Sequence, residues 1–268
     1  MNTPTPVPVD LPSPAEGFAW ERRGSAVALV PQTTHARAVF STRAGGFCTA
    51  PWDTLNVSYA QGYGETPDWP DRVTENRRIC SAFIDGSPHW TRVLQVHGVE
   101  VREAAHPAER KPPDGVNRDN PEADGLWTKD PSRTIAVSNG DCASILCVRA
   151  GRVAVAHAGW RGTLAGVVQA AALAISAEQV FIGPGIGPCC FSHTPEVVAS
   201  FRRRFGDGVV RGGDHIDLWE ASRLAAIEAG ALDVYVAGLC TACNSNLFFS
   251  GRRDDRRTGR QALIARVP

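Results

Sequence analysis

Three residues able to do chemistry stand beside glycine or at the end of an apolar segment. His97 lies in Gln95-Val96-His97-Gly98, Cys142 in Asn139-Gly140-Asp141-Cys142, and His157 at the head of His157-Ala158-Gly159-Trp160-Arg161-Gly162. One thiolate and two imidazoles form a donor set for zinc, and three protein ligands leave the fourth position to water or substrate. Such a metal brings the pKa of its bound water to about 7 and supplies hydroxide at neutral pH. The intervals of 45 and 15 residues match no short ligand signature. A histidine at a strand end is more often a hydrogen-bonded structural residue, and Cys142 with His157 also reads as a nucleophile and its base. The residue types alone leave these alternatives open.

Glycines add weight to the metal reading. Gly98, Gly159 and Gly162 remove side chains next to the candidate ligands, as a closely approached backbone requires. Gly183-Pro184-Gly185-Ile186-Gly187-Pro188 reads as a stiff loop whose backbone a substrate can approach. Its glycine spacing is not that of a dinucleotide fingerprint. Cys240 and Cys243 form a Cys-x-x-Cys followed by Asn244, Ser245 and Asn246, which suits a loop better than a redox-active helix start. The adjacent Cys189 and Cys190 cannot easily chelate one metal together and read as buried thiols, and Cys48, Cys80 and Cys147 as packing residues. His35, His89, His106, His193 and His215 belong to no constellation.

The elements that must position these residues alternate between strands and helices. Residues 36–42 read as a strand entering a Gly45-Gly46 turn, and 70–84 as a helix with Pro70 in its first turn. Residues 93–101 alternate, which places Val93, Gln95, His97 and Val99 on one face if extended. Strands are expected over 134–137, 144–148, 152–156, 180–182 and 234–238, the second and third forming a hairpin at Ala150-Gly151. Helices are expected over 164–175, 195–205 and 218–229, and 111–123 reads as a surface loop. The mixture lacks a regular βαβ rhythm and favours an α+β fold. A Pro-rich arm over 1–20 precedes what reads as one domain over 21–268.

With 268 residues and 43% hydrophobic content, the chain can bury a sizeable core. Its 28 basic residues match its 28 acidic ones, so net charge argues for neither nucleic acid nor an anionic membrane surface. No apolar run is long enough to span a bilayer. The N-terminus has neither the basic nor the apolar region of a secretory signal, so a cytoplasmic setting with reduced cysteines is expected.

A set of motifs in consistent order carries a family resemblance. They are Ser41-Thr42-Arg43-Ala44-Gly45-Gly46, Leu55-Asn56, Gln95-Val96-His97-Gly98, Ala123-Asp124-Gly125, Asp141-Cys142, His157 through Thr163, Gly183 through Phe191, and Cys240-Thr241-Ala242-Cys243 through Gln261. The sequence is similar to the YfiH/DUF152 family of purine nucleoside phosphorylases, also described as polyphenol oxidases or laccase-domain proteins. The resemblance implies a four-layer α/β/β/α fold with two mixed β-sheets face to face. It implies metal ligation at His97, Cys142 and His157. It also implies phosphorolysis of adenosine, inosine, guanosine and methylthioadenosine, with adenosine deamination at the same site. Copper and phenol oxidation belong to the older description, but seven histidines are few for several copper ions.

Within that reading, Arg43 beside Gly45-Gly46 is a candidate to grip phosphate. Arg161, near a helix start, is a second. For each arginine the competing reading is a surface salt bridge. Asn56 is a candidate contact to base or ribose, and Asp141 a candidate to orient a ligand from behind. The family reading puts Cys243 at the pocket rim. The chain departs from the family where Asn139-Gly140-Asp141-Cys142-Ala143-Ser144 replaces Thr-Ala-Asp-Cys-x-Pro, and where Ser58 through Glu65 replaces Gly-x-x-x-Gly-Asp. Purine nucleosides and phosphate are the expected partners, without nucleic acid or membrane.

Overall fold

The computed structural model describes residues 10–60, 68–109, 111–112 and 119–268. In chain order its elements are β1 (Phe18–Arg23), β2 (Ala26–Pro31), β3 (Arg37–Ser41), α1 (Pro70–Ala82), β4 (Val101–Glu103), β5 (Gly125–Thr128), β6 (Ile135–Asn139), β7 (Ala143–Arg149), β8 (Arg152–Ala158), α2 (Trp160–Ala165), α3 (Val167–Ile175), β9 (Gln179–Ile182), α4 (Pro195–Phe205), β10 (Val210–Arg211), β11 (His215–Ile216), α5 (Leu218–Glu228), β12 (Asp233–Val236) and β13 (Gln261–Arg266).

Two large sheets dominate. The first has the order β1-β2-β3-β13-β6, with antiparallel ladders and a parallel bridge from Thr91 to Ile135 at its β6 edge. The second has the order β12-β9-β7-β8-β5-β4, parallel at both edges and antiparallel within. Leu29, Phe40, Val137 and Leu263 of the first sheet share one buried core with Leu126, Leu146, Val155 and Phe181 of the second, so the sheets pack face to face. On the outer face of the first sheet, Cys80, Phe83 and Ile84 at the end of α1 pack against Val39, Ala136 and Ile264. On the outer face of the second, α3 and α5 cover Ile145, Ala154, Ala156 and Ile182. These are the four layers α/β/β/α that the resemblance implied.

Several local readings are met. Pro70 opens α1, where its missing N–H costs no hydrogen bond. The helix expected over 218–229 is α5, which Asp217 caps by accepting from the Glu220 N–H. Others are corrected. Residues 18–20, read as part of the arm, lie in β1, and the Trp20 indole N–H donates to the Pro12 carbonyl at 2.7 Å. The helix expected over 164–175 is two helices, because Gly166 adopts a left-handed φ of 106° between α2 and α3. Residues 93–100 form no strand, and Val101 opens β4. His97 has a φ of 62° in this segment, a conformation L-residues rarely take. Residues 113–118 of the loop expected over 111–123 lie outside the described residues, as do residues 1–9 of the arm and 61–65 of the departing segment after Asn56. No helix among the described residues is long and apolar enough to cross a membrane.

Candidate metal centre

The β7–β8 hairpin brings the first two ligands together. Its register pairs Ser144 with His157 and Ala143 with Ala158, so Cys142, one residue before β7, faces Gly159, one residue after the Ala158 pair. The turn from β6 into β7 is held by Asn139, whose side-chain N–H groups donate to the carbonyls of Cys142 at 2.7 Å and Pro184 at 3.1 Å. A Cβ on Gly159 would stand 2.9 Å from His97 Cδ2 and 3.0 Å from Cys142 Sγ. Only glycine leaves room for both ligands there.

His97 arrives from the loop that precedes β4. Gln95 anchors this loop to β6 by donating to the Ser138 carbonyl at 2.7 Å and accepting from the Ser138 N–H at 2.9 Å. The turn itself is wrapped on one carboxylate. The backbone N–H groups of Val96 and His97 donate to Asp124 at 3.2 and 3.0 Å, and that of Gly98 donates as well. Asp124 sits just before β5 and is completely buried. It also lies 2.9 Å from Nδ1 of His157, whose backbone N–H donates to the Asp124 carbonyl at 2.8 Å. With Nδ1 committed, Nε2 is the nitrogen His157 offers to a metal.

One donor atom each from His97, Cys142 and His157 lies within 4.8 Å of the others, and the two imidazole rings meet edge to face at 4.8 Å. Burial grades across the site, from exposed His97 through half-buried Cys142 to buried His157. The set fits zinc by donor chemistry and by the glycine cradle at 159. It is also the two-histidine, one-cysteine set of trigonal copper sites.

Electrostatics in the metal-free protein agree with a poised thiolate. Burial raises the Cys142 thiol, but His157 and His97 outweigh it and bring the pKa down from 9.0 to about 6. Burial lowers His157, but Cys142 and Asp124 outweigh it and raise it to about 10. Burial also works against the Asp124 carboxylate, yet hydrogen bonds from His157 and the Gly98 and His97 backbones hold it below the usual carboxylate range.

The remaining candidates do not all gather here. Asn56 is buried and saturated. Its two amide hydrogens go to Asp68 and the Ser58 carbonyl, and its oxygen accepts from the backbones of Ser58 and Arg260. These bonds join distant loops through Asn56. Arg43 is engaged by Asp53 in a salt bridge. Its Nε and one terminal nitrogen bind Asp53, the other binds the Ser245 carbonyl, and the group stacks on Phe249 at 4.9 Å. Asp141 does not back a ligand side chain. Its carboxylate accepts from Thr241 Oγ1 and the Arg252 N–H, each at 2.7 Å. Asp124 does what was expected of Asp141.

Arg161 stacks on Trp160 at 4.2 Å and pairs with no carboxylate among the described residues. His193 meets Trp160 at 4.9 Å, and its pKa is lowered by burial and then by Arg252 and Arg161. A positive field therefore converges beside α2. Cys243 stands 3.4 Å from Cys190 and 3.5 Å from Cys189. Cys189 is exposed and Cys190 half-buried, not the buried thiols expected. The Gly183–Pro188 loop is approached by protein rather than open to substrate, since a Cβ at Gly183 would meet Phe40 and one at Gly187 would meet Trp219.

Asp124 and Gln95 are the functional residues that sequence reasoning left without a role. The signal for both was their place inside the quoted motifs, with Asp124 directly before a strand-opening glycine.

The family described as multi-copper polyphenol oxidoreductase laccase matches residues 37–267. The chain is 33% identical to the purine nucleoside phosphorylase YlmD of Geobacillus stearothermophilus, over 93% of this chain and 97% of that one. It is 35% identical to the purine nucleoside phosphorylase PA4543 of Pseudomonas aeruginosa, over 87% and 94% of the two chains. The crystal structure of YlmD superposes with a TM-score of 0.77, covering 94% of this chain and 98% of that one at 31% identity. The chain belongs to the multi-copper polyphenol oxidoreductase laccase family, which is the YfiH/DUF152 family.

Proposed function

We propose that this chain is a zinc-dependent purine nucleoside phosphorylase. Its substrates are adenosine, inosine, guanosine and methylthioadenosine, and adenosine deamination is a side activity of the same centre. The observation that carries this reading is the convergence of His97, Cys142 and His157 donors within 4.8 Å on a frame set by Asp124. It is supported by relatives named purine nucleoside phosphorylase at 33–35% identity.

In phosphorolysis a phosphate oxygen bonds to C1′ of ribose while the bond from C1′ to the purine breaks, and the base takes the electron pair and a proton. When bound, zinc supplies a Lewis acid and a water of pKa about 7. Arg161, without a carboxylate partner among the described residues, supplies a guanidinium for phosphate, and Arg252 adds to the same field. Asp124 holds the proton on His157 Nδ1 and fixes the backbone of His97, so the ligands need no reorganisation on binding. The thiolate this requires is kept reduced in the cytoplasm, where we place the enzyme.

Zinc-loaded protein incubated with adenosine is expected to release adenine and ribose 1-phosphate only when phosphate is present, and a smaller amount of inosine regardless. Absence of both products would sink the reading. Copper-loaded protein that turns over phenols, with nucleosides untouched, would favour the oxidase implied by the family description.

A second reading rests on the depressed Cys142 thiol beside His157, which suits a Cys-His hydrolase. Activity that survives complete metal removal and is lost on alkylation of Cys142 would select it.

A further inference from the structure

Four more cysteines meet away from the His97 centre. The sulfurs of Cys189, Cys190, Cys240 and Cys243 all lie within 4.8 Å of one another, with 3.5 Å from Cys189 to Cys243 and 3.4 Å from Cys190 to Cys243. A tetrahedron of thiolates around zinc, with Zn–S of about 2.3 Å, has edges of about 3.8 Å. The two separations from Cys243 fall just short of that edge, and all four sulfurs lie within 4.8 Å of one another.

The backbone is built to hold them. Cys189 and Cys190 lie in a helical turn, where the N–H groups of Cys190 and Phe191 both donate to the Gly187 carbonyl at 3.0 Å. This coil swings adjacent side chains apart, so two neighbouring cysteines reach one point from different directions. Cys240 and Cys243 flank a second turn, closed from the Asn244 N–H to the Cys240 carbonyl at 3.0 Å. A parallel bridge between Gly185 and Cys240 ties the two loops together. The Gly187 N–H donates to Cys240 Sγ at 3.2 Å and orients that sulfur.

We propose that Cys189, Cys190, Cys240 and Cys243 form a second, structural zinc site of four thiolates. It is distinct in kind from the catalytic centre, because four protein ligands leave no open position. The two exposed members, Cys189 and Cys243, give an ion its path in. The ion clamps the loop around Gly187 to the loop after β12. Both loops hold Asp141, through the Ile186 N–H on its carbonyl and Thr241 Oγ1 on its carboxylate, each at 2.7 Å. The second site therefore braces the residue next to Cys142.

The test is metal stoichiometry on the full-length protein purified under reducing conditions. Wild type is expected to hold two zinc ions per chain. Cys142→Ala is expected to hold one, and the double variant Cys189→Ser with Cys190→Ser is also expected to hold one. Cobalt added to stripped Cys142→Ala should give the sulfur-to-metal charge-transfer bands and intense visible bands of a tetrahedral four-sulfur site. Should the double variant not fold, stripped wild type titrated with cobalt reads the same point, with two equivalents bound and one showing the four-sulfur spectrum. A single equivalent in wild type, loss of all metal in Cys142→Ala, or isolated protein in which these four cysteines are joined as disulfides would overturn the proposal.

Discussion

Asp124 accepts from Nδ1 of His157 at 2.9 Å, and the same carboxylate accepts three consecutive backbone N–H groups from the turn that carries His97. One buried acid thus sets the ring of one ligand and the backbone of another. Such supporting partners are worth about 10–100-fold in metal affinity. Asp124→Asn is therefore expected to weaken zinc binding by about that factor, as read by competition with a coloured chelator. An unchanged affinity would remove Asp124 from the centre.

Cys142 carries the sharpest pH signature. In the metal-free protein its alkylation by iodoacetamide should rise with an inflection at about pH 6, where an ordinary thiol would show one at about 9. The sign follows from the cause, since the neighbouring imidazoles favour the thiolate more than burial opposes it. Zinc is expected to abolish the reaction by occupying the sulfur. An inflection near 9 would show that the imidazoles do not act on this thiol.

Gly159→Ala tests the cradle. The new methyl would sit 2.9 Å from His97 and 3.0 Å from Cys142, so one ligand must move. The expected outcome is a native circular dichroism spectrum with zinc affinity reduced by about 1–3 kcal/mol, the usual range for overpacking. Gly151→Ala meets nothing within 4 Å and serves as a control for the metal site. Its positive φ of 74° allows some loss of stability but none of zinc affinity.

Arg161→Ala is expected to raise the KM for phosphate about 10- to 150-fold, as for one charge-assisted hydrogen bond of about 1.5–3 kcal/mol. The KM for the nucleoside should stay near its wild-type value. Phosphorolysis kinetics with each substrate varied in turn decide this, and an equal effect on both would argue against a phosphate contact.

Glu109 is buried between Arg77 at 2.6 Å and Arg92 at 3.3 Å, and Arg92 reaches on to Ser138. Glu109→Ala leaves two buried guanidinium groups without this acid and is expected to cost about 3–5 kcal/mol in urea unfolding. Burial works against the Glu109 carboxylate, but the two arginines outweigh it and lower its pKa in the folded state. Its stabilisation is then complete above the ordinary carboxylate value and is lost as pH falls through the depressed one. The variant should therefore lose this part of the acid sensitivity of the wild type.

The motifs around His97, Cys142 and His157 were legible because chemistry-bearing residues stood beside glycines that a strand or helix interior would not favour. Helices α1, α4 and α5 and the β7–β8 hairpin were legible because their turns, caps and prolines are local signals. Strand β13 was missed because it lies between β3 and β6 and is buried on both faces, so Gln261–Arg266 carries no alternation to read.

Chain order alone determined which residue types were available for a metal and which short elements flank them. Only the tertiary structure decided that Asp124, not Asp141, supports the candidate ligands, that Asn56 and Arg43 are already engaged, and that four cysteines from two loops meet. Hydrogen-bond partners separated by tens of residues are set by strand register and loop packing, and neither leaves a periodic trace in the local sequence. The left-handed turn at His97 shows the same limit, because an extended pattern gives way when a buried carboxylate collects three successive N–H groups.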